Sequence, residues 1–230
     1  MIAILSDIHG NLPALRAVLD AAGRLGCNRI ISLGDVTGYY AEPGKCLDLL
    51  IERSAIQLLG NHDSYLVMGT GCPRSRIVNQ LLQHQRIAVT QEQIRFLSTL
   101  KSRHDEGSNS FVHGGWADPL DQYLYEVSDS SFPDSAERFF SGHTHVQILA
   151  VFNGKTYCNP GSVGQPRDGD PRAAFATLEG RDIVLHRVKY NIDETVRAMR
   201  EAGFEESRLW ENLYAGTQIG GRVHKVVVKA

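Results

Sequence analysis

Hydrophobic positions in the first two thirds of the chain gather into short continuous runs: Ile2-Ala3-Ile4-Leu5, Arg29-Ile30-Ile31-Ser32-Leu33, Ile56-Gln57-Leu58-Leu59, Ser110-Phe111-Val112 and Arg138-Phe139-Phe140-Ser141. Each is bounded by Gly or polar residues and is mostly β-branched, Leu or aromatic, which predicts buried strands. Between the first three runs the period lengthens. Asn11 is placed to cap a helix with Pro13 in its first turn, and Leu12, Leu15, Val18, Leu19 and Ala22 recur at helical spacing before Gly23 and Gly26. A second helix is expected from about Pro43, where Cys46, Leu47, Leu49 and Leu50 supply an apolar side. Residues 74–100 also read as helical, with Thr90 and Gln93 forming a capping box ahead of 91–100.

From residue 147 the pattern changes to consecutive strands, at 147–152, 156–158, 173–178 and 183–188, with turns at Asn153-Gly154 and Glu179-Gly180. Asn-Gly between apolar runs is a strong hairpin signal. A capped helix is expected from Asn191 to about Gly203, with Ile192, Val196 and Met199 on one side, and a further one over 205–214. Residues 161–171, rich in Gly, Pro and charge, read as a long loop. Alternation followed by hairpins predicts an α/β fold of two packed sheets flanked by helices. One domain over 1–230 is expected, with a C-terminal helical extension at about 191–216.

With 230 residues, 42% of them hydrophobic and 22% charged, the composition is that of an ordinary globular protein. A formal charge of −2 supplies no net field for nucleic acid or an anionic membrane. Cys27, Cys46, Cys72 and Cys158 form no Cys-x-x-Cys pair and are expected to be reduced thiols. No apolar run approaches ~18 residues, and the first residues lack the marks of a secretory signal, so the expected location is the cytoplasm.

The polar residues that follow the strand runs change the picture. Asp7-Ile8-His9, Gly34-Asp35, Gly60-Asn61-His62-Asp63, His113-Gly114 and Gly142-His143-Thr144-His145 each place ligand-type side chains just beyond a run. In open α/β sheets the functional crevice lies beyond the carboxyl ends of the strands. Asp and His mixed with an Asn oxygen suit divalent Mn, Fe, Zn, Co or Ni better than an all-oxygen Ca or Mg cage. The set is too large for one tetrahedral zinc. Two cations about 3.5–4 Å apart need a bridging carboxylate, for which Asp35 is the natural candidate, and can activate a hydroxide while clamping a phosphate.

In the order and spacing of these five motifs, over roughly residues 1–165, the chain resembles the calcineurin-like metallophosphoesterase superfamily. The resemblance implies a four-layer α-β-β-α sandwich of two mixed sheets. It also implies one metal held by Asp7, His9, Asp35 and His145 and a second held by Asp35, Asn61, His113 and His143. His62 would protonate the leaving oxygen or stabilise the transition state; Asp63 would orient its imidazole, or else cap the next segment. The segment Asn159-Pro160-Gly161-Ser162-Val163 resembles a family loop lying near the metals. Arg167 and Arg172 follow it, either to grip substrate phosphate or as solvated loop charges. Tyr39 and Tyr40 could stack on a base or pack against the sheet.

The protein-phosphatase branch carries Gly-Asp-x-x-Asp-Arg-Gly and Gly-Asn-His-Glu. Here the text reads Gly34-Asp35-Val36-Thr37-Gly38-Tyr39-Tyr40 and Gly60-Asn61-His62-Asp63. The chain therefore looks more like the small prokaryotic phosphodiesterase branch. The expected activity is metal-dependent hydrolysis of a small-molecule or nucleotide phosphodiester, with manganese among the expected metals. The alternatives are a dinucleoside polyphosphate (diadenosine tetraphosphate) hydrolase and a phosphomonoesterase. A non-catalytic scaffold is the remaining class, and it would be expected to show a damaged ligand set, whereas this one is whole.

Overall fold

The computed structural model describes residues 1–229. Strand β1 (Ile2–Leu5) leads through Asn11, whose side chain accepts from the Ala14 N–H, into helix α1 (Leu12–Arg24). Strand β2 (Arg29–Ser32) and helix α2 (Pro43–Glu52) repeat the unit, and β3 (Ile56–Gln57) runs into α3 (Asn61–Met68). The helical stretch expected at 74–100 is two helices, α4 (Arg76–Ala88) and α5 (Gln91–Ser98), the second opened by the Thr90–Gln93 capping box. There follow β4 (Arg103–Glu106), β5 (Asn109–Val112), β6 (Glu126–Val127) and β7 (Arg138–Phe140). Then come β8 (Ile148–Val151), β9 (Thr156–Asn159), β10 (Ala173–Glu179) and β11 (Asp182–Val188). Helices α6 (Ile192–Glu201) and α7 (Glu211–Ala215) and strand β12 (Val227–Val228) complete the chain.

Two mixed five-stranded sheets, flanked by helices, make the α/β sandwich that the sequence leads one to expect. One has the order β11-β10-β1-β2-β3, the other β4-β5-β7-β9-β8. In the first, β1, β2 and β3 are parallel and β10 runs against β1; in the second, β5, β7 and β9 are parallel and β4 and β8 antiparallel. The inner faces meet through Ile4, Ile31, Leu33 and Leu58 on one side and Phe111, Phe140 and Cys158 on the other. Helices α1 and α2 cover the outer face of the first sheet through Leu15, Val18, Leu19, Leu47 and Leu50. The outer face of the second sheet, carrying Phe139 and Tyr157, is closed by Leu124, Val127 and Phe132 from the 113–137 connection. No helix among the described residues is long and apolar enough to cross a membrane.

Two parts of this frame position the site. All the parallel strands end at the same edge of the sandwich, so their following loops converge. The segment after α7 then returns across that edge: His224 N–H donates to the Arg167 carbonyl (2.7 Å), and β12 pairs with β6.

Candidate metal centre

Asp7 and His9 follow β1, Asp35 follows β2 and Asn61 opens α3, so four of the expected ligands come from the first sheet. His113 follows β5, and His143 and His145 follow β7, from the second. Seven side chains far apart in sequence thus meet between the sheets, all almost wholly buried. The chain turns sharply to bring them there: Asp7, His9, Asp35, His143 and His145 have φ of 54°, 54°, 54°, 63° and 59°. Left-handed backbone costs a residue with a Cβ about 1–2 kcal/mol. Backbone hydrogen bonds hold it in place, among them Asp7 N–H to Gly34 O (3.1 Å), His9 N–H to Asp35 O (2.9 Å) and Gly164 N–H to Asp7 O (3.0 Å). Two glycines are required by close approach. A Cβ on Gly142 would fall 1.9 Å from Ser6 Oγ, and one on Gly38, at φ 137°, would fall 2.3 Å from His9 Nδ1.

Ring orientations identify what the cluster is built to hold. His9 Nδ1 donates to Thr37 O (2.9 Å) and His145 Nδ1 to Gln165 O (2.7 Å), which leaves both Nε2 atoms as bare acceptors. Those two atoms face each other at 3.1 Å, with Asp7 Oδ1 3.3 Å from one of them. Three lone pairs aimed at one another without a proton between them are repulsive unless a cation sits among them. A second group gathers His113 Nε2, Asn61 Oδ1 (3.0 Å) and His143 Nδ1 (3.2 Å). Asp35 Oδ2 lies between the groups, 3.7 Å from His9 Nε2 and 3.4 Å from His113 Nε2. Neither it nor Asp7 Oδ1 has a hydrogen-bond partner, although both are buried. The residues therefore fit divalent cations.

The electrostatics agree. Burial, joined by neighbouring cations and imidazoles, pushes His9 and His145 below the ordinary histidine range and His143 down to about 4, so these rings are neutral at neutral pH, the form that can bind a metal. Burial alone would also lower His113, but Asp35 overrides it and raises the ring to about 9. Asp35 is itself pushed up to about 6 by burial, partly offset by His113. Burial would raise Asp7 too, yet His145, His113 and His9 hold its carboxyl well below the usual carboxylate range. A metal taking the His113 position must displace that ring's proton.

Residues 1–182 match the family model described as the calcineurin-like phosphoesterase superfamily domain. The chain belongs to the calcineurin-like phosphoesterase superfamily. It is 31% identical to an uncharacterised protein of Methanocaldococcus jannaschii, over 94% of this chain and 98% of that one. It is 27% identical to the phosphodiesterase YfcE of Escherichia coli K12, over 76% and 84%. Among solved structures, the metallophosphoesterase of Sphaerobacter thermophilus superposes with a TM-score of 0.82 at 34% identity, over 94% of this chain and 98% of that one. A buried His/Asp metal site is typical of this family, and the chain is a phosphoesterase-family enzyme with that site in place.

Around the phosphoesterase centre, the loop after β9 lies where the resemblance implied. Ser162 Oγ donates to the Asp7 carbonyl (2.7 Å), and Asn159 Nδ2 to the Gly142 carbonyl (2.7 Å), so the loop braces the backbone of the ligands. His62 sits beside the cluster, its ring edge-on to His9 (4.9 Å between centroids) and packed on Tyr39 (5.0 Å) and Tyr65 (5.7 Å). Burial, followed by the charge of Arg167, holds it well below the ordinary histidine range.

The expected pairing of Asp63 with the His62 ring is absent. The Asp63 carboxylate accepts from Val36 N–H (3.3 Å), Thr37 N–H (2.9 Å), Thr37 Oγ–H (2.8 Å) and Gly60 N–H (3.2 Å). His62 Nδ1 has no partner. Asp63 therefore ties the loop after β2 to the start of α3, the capping alternative, because unsatisfied backbone donors at that junction outcompete a ring held by its aromatic neighbours.

Arg167 is brought to the centre: it is buried, its Nη2 donates to Tyr39 Oη (3.1 Å), and it shares a cavity with His62 and Asn61. Arg172 is not: it is tied at the surface to Asp170 (2.6 Å) and does not line that cavity. Tyr40 is core, while Tyr39 stands at the rim, its ring edge-on to His9 with 4.6 Å between centroids.

Three neighbours lie outside every motif. Asp121 Oδ1 is 3.5 Å from His143 Nε2, the ring nitrogen that faces away from the cluster, and Tyr123 stacks on that ring at 3.8 Å. Arg74 grips Asp121 with both terminal nitrogens. Contact with His143 and with Arg74 holds the Asp121 carboxyl far below its usual range. The only sequence signal for Asp121 is a carboxylate a short loop away from His113.

Proposed function

We propose that the protein is a phosphodiesterase that works with two divalent transition-metal ions, hydrolysing the P–O ester bond of a small-molecule or nucleotide diester. The observation that carries this reading is Asp35 Oδ2, orphaned in a buried site and shared between the Asp7/His9/His145 side and the His113/His143 side of one continuous cluster. Asp7, His9, Asp35 and His145 would hold one ion, and Asp35, Asn61, His113 and His143 the other. When bound, the cations lower the pKa of a water toward neutrality and draw charge from the phosphoryl oxygens.

The remaining work belongs to the chain. Thr37 O and Gln165 O fix the tautomers of His9 and His145, so these two rings already present bare Nε2 atoms to an ion. His62, on the cavity side of the cluster, would hydrogen-bond the leaving oxygen through its neutral ring and so stabilise the transition state. Arg167 lies within the same cavity to meet a non-bridging oxygen. The diester class is supported by the likeness to a phosphodiesterase at 27% identity and by the missing arginine motifs of the protein-phosphatase branch.

The test is reconstitution of metal-stripped protein with Mn²⁺, Ni²⁺, Co²⁺, Zn²⁺ or Mg²⁺, assayed on bis-nitrophenyl and mono-nitrophenyl phosphate. Diester turnover is expected to return with a transition metal and to fall by more than about 100-fold in Asp35→Asn, since the bridging charge is lost. Metal-independent turnover, or full activity in Asp35→Asn, would sink the reading.

A further inference from the structure

The histidines of the cluster are not held alike. His9 and His145 turn Nε2 inward and give the proton on Nδ1 to a main-chain carbonyl, Thr37 O and Gln165 O. His143 is turned the other way. Its Nδ1 faces His113 Nε2 at 3.2 Å, so a neutral ring that keeps Nδ1 bare carries its proton on Nε2. No main-chain carbonyl among the described residues accepts from that nitrogen. What faces it is a carboxylate oxygen, Asp121 Oδ1, at 3.5 Å, slightly longer than a hydrogen bond and close enough for its charge to favour a proton there.

Asp121 is built into its position. In the loop after β5, Asp118 Oδ1 accepts from Leu120 N–H (3.0 Å) and Asp121 N–H (3.2 Å), and Gly114 N–H donates to Pro119 O (2.7 Å). The turn packs directly on the residue after His113: a Cβ on Gly114 would fall 2.8 Å from Asp118 O and 3.0 Å from Asp121 N. Two residues beyond Asp121, the Tyr123 ring stacks on His143 with 3.8 Å between centroids. Arg74 closes the arrangement, donating to both carboxylate oxygens of Asp121 while its guanidinium lies 5.3 Å from the Tyr123 ring centre. The His143 imidazole is thus held on its face by Tyr123 and at its outer edge by Asp121, both from one short loop clamped to the backbone beside His113.

A carboxylate behind an imidazole fixes which nitrogen carries the proton, and its full charge makes the opposite nitrogen a stronger donor to a cation than a neutral carbonyl does. The two sides of the cluster differ in their need for this. Beyond the shared Asp35, the Asp7/His9/His145 side brings a carboxylate of its own, whereas Asn61, His113 and His143 bring none. His113 has no partner on Nδ1 to raise its donor strength. We infer that Asp121, clamped by Arg74, is the positioning residue of His143 and sets the affinity of the Asn61/His113/His143 side for its ion independently of the other side. The inference rests on the two-ion reading above and adds to it a determinant outside every motif. Asp121 acts through the ring alone: Arg74 and Tyr123 line the cavity beside the cluster and Asp121 does not.

The experiment titrates metal-stripped full-length protein with Mn²⁺ in a calorimeter, as wild type, Asp121→Leu and Asp121→Glu. Leucine fills the place without offering an acceptor, and Asp121 is partly exposed, so the change is compatible with folding. The second ion is assigned by Asn61→Ala, which removes an oxygen expected at that ion alone. In Asp121→Leu the second ion is expected to bind at least about tenfold more weakly with the first unchanged, the scale for a lost outer partner, and Asp121→Glu, which keeps the charge, is expected to recover part of the loss. Proton NMR of the Zn²⁺-treated chain supplies a readout that a merely structural role would not move: the Nε2–H resonance of His143 is expected far downfield in the wild type and to shift upfield in Asp121→Leu. An unchanged second-ion affinity, or a resonance that does not move, overturns the inference. So does an equal loss for both ions, which would make Asp121 a support of the whole cluster. A wild-type chain that takes up a single ion, with the His143 resonance still dependent on Asp121, would count against the two-ion reading and leave the positioning of His143 standing.

Discussion

Asp63 and His62 are adjacent in sequence and opposite in behaviour, which makes them a useful pair at the scale of single residues. Asp63→Ala would leave the amides of Val36, Thr37 and Gly60 buried without an acceptor. At about 1–3 kcal/mol per orphaned donor, with partial relaxation, the metal-free chain should lose about 3 kcal/mol in urea unfolding. His62→Ala removes a ring that holds no hydrogen bond through Nδ1. Through the lost ring packing it should cost about 2 kcal/mol of stability, and it should depress alkyl esters more than nitrophenyl esters, whose leaving oxygen needs little stabilisation. If Asp63→Ala instead reproduced the leaving-group selectivity of His62→Ala at full stability, the capping role would be wrong.

Among the elements, Asn11 is where three of them are joined. Its Oδ1 caps α1 at Ala14 N–H (3.3 Å) and accepts from Thr195 Oγ–H on α6 (2.8 Å), and its Nδ2 donates to Gly164 O (2.9 Å) in the loop that braces Asp7. Asn11→Ala is expected to cost about 2–3 kcal/mol in denaturant unfolding, the cap plus the stranded partners. Asn11→Asp, which keeps the cap oxygen but cannot donate to Gly164, should fall between. A loss no greater than that of an ordinary cap, about 1 kcal/mol, would mean that the three elements are held independently.

Asn11 was visible in the sequence as a cap because a period-3.6 run follows it, and the strands leading to the metal were visible because each is a buried, unbroken apolar run. The elements that escaped notice carry the opposite signature. Strand β4, Arg-His-Asp-Glu, is a charged edge strand, a composition that guards against aggregation and hides the strand from hydropathy. Helix α3 opens with Asn61, His62 and Asp63, polar residues buried by the site rather than by an apolar face. Strands β6 and β12 are two residues long and exist through their pairing with each other. The side chains of the cluster were legible as well, since each sits beyond a strand. Asp121 and Arg74 were not, because they reach the centre from loops in which nothing local requires a charge.

For the whole molecule, the cluster is a meeting point of two sheets, with four of its side chains from one and three from the other, and bound cations would tie them together. Cations that bind only the folded chain should raise its stability by about 4 kcal/mol at a thousandfold excess over Kd. The gain should depend on pH with a definite sign. Asp35 holds the His113 proton to about pH 9, so below that value the metal competes with a proton, and binding weakens as pH falls. Melting of manganese-loaded and chelator-treated protein between pH 6 and 9 reads this out: the gap is expected to widen toward pH 9. A gap that is absent, or that narrows with rising pH, would contradict both the tie and the proton held by His113.

The five cluster residues at positive φ have a consequence for any lineage of this protein. At about 1–2 kcal/mol apiece, Asp7, His9, Asp35, His143 and His145 together tie up a strain comparable to the entire net stability of many domains. Glycine would relieve the clash at any of them while destroying the ligand. Heat tolerance and catalysis therefore pull on the same backbone positions in opposite directions, and variants bred for thermal endurance alone would drift toward an inert sandwich by way of its turns, with the hydrophobic interior left untouched.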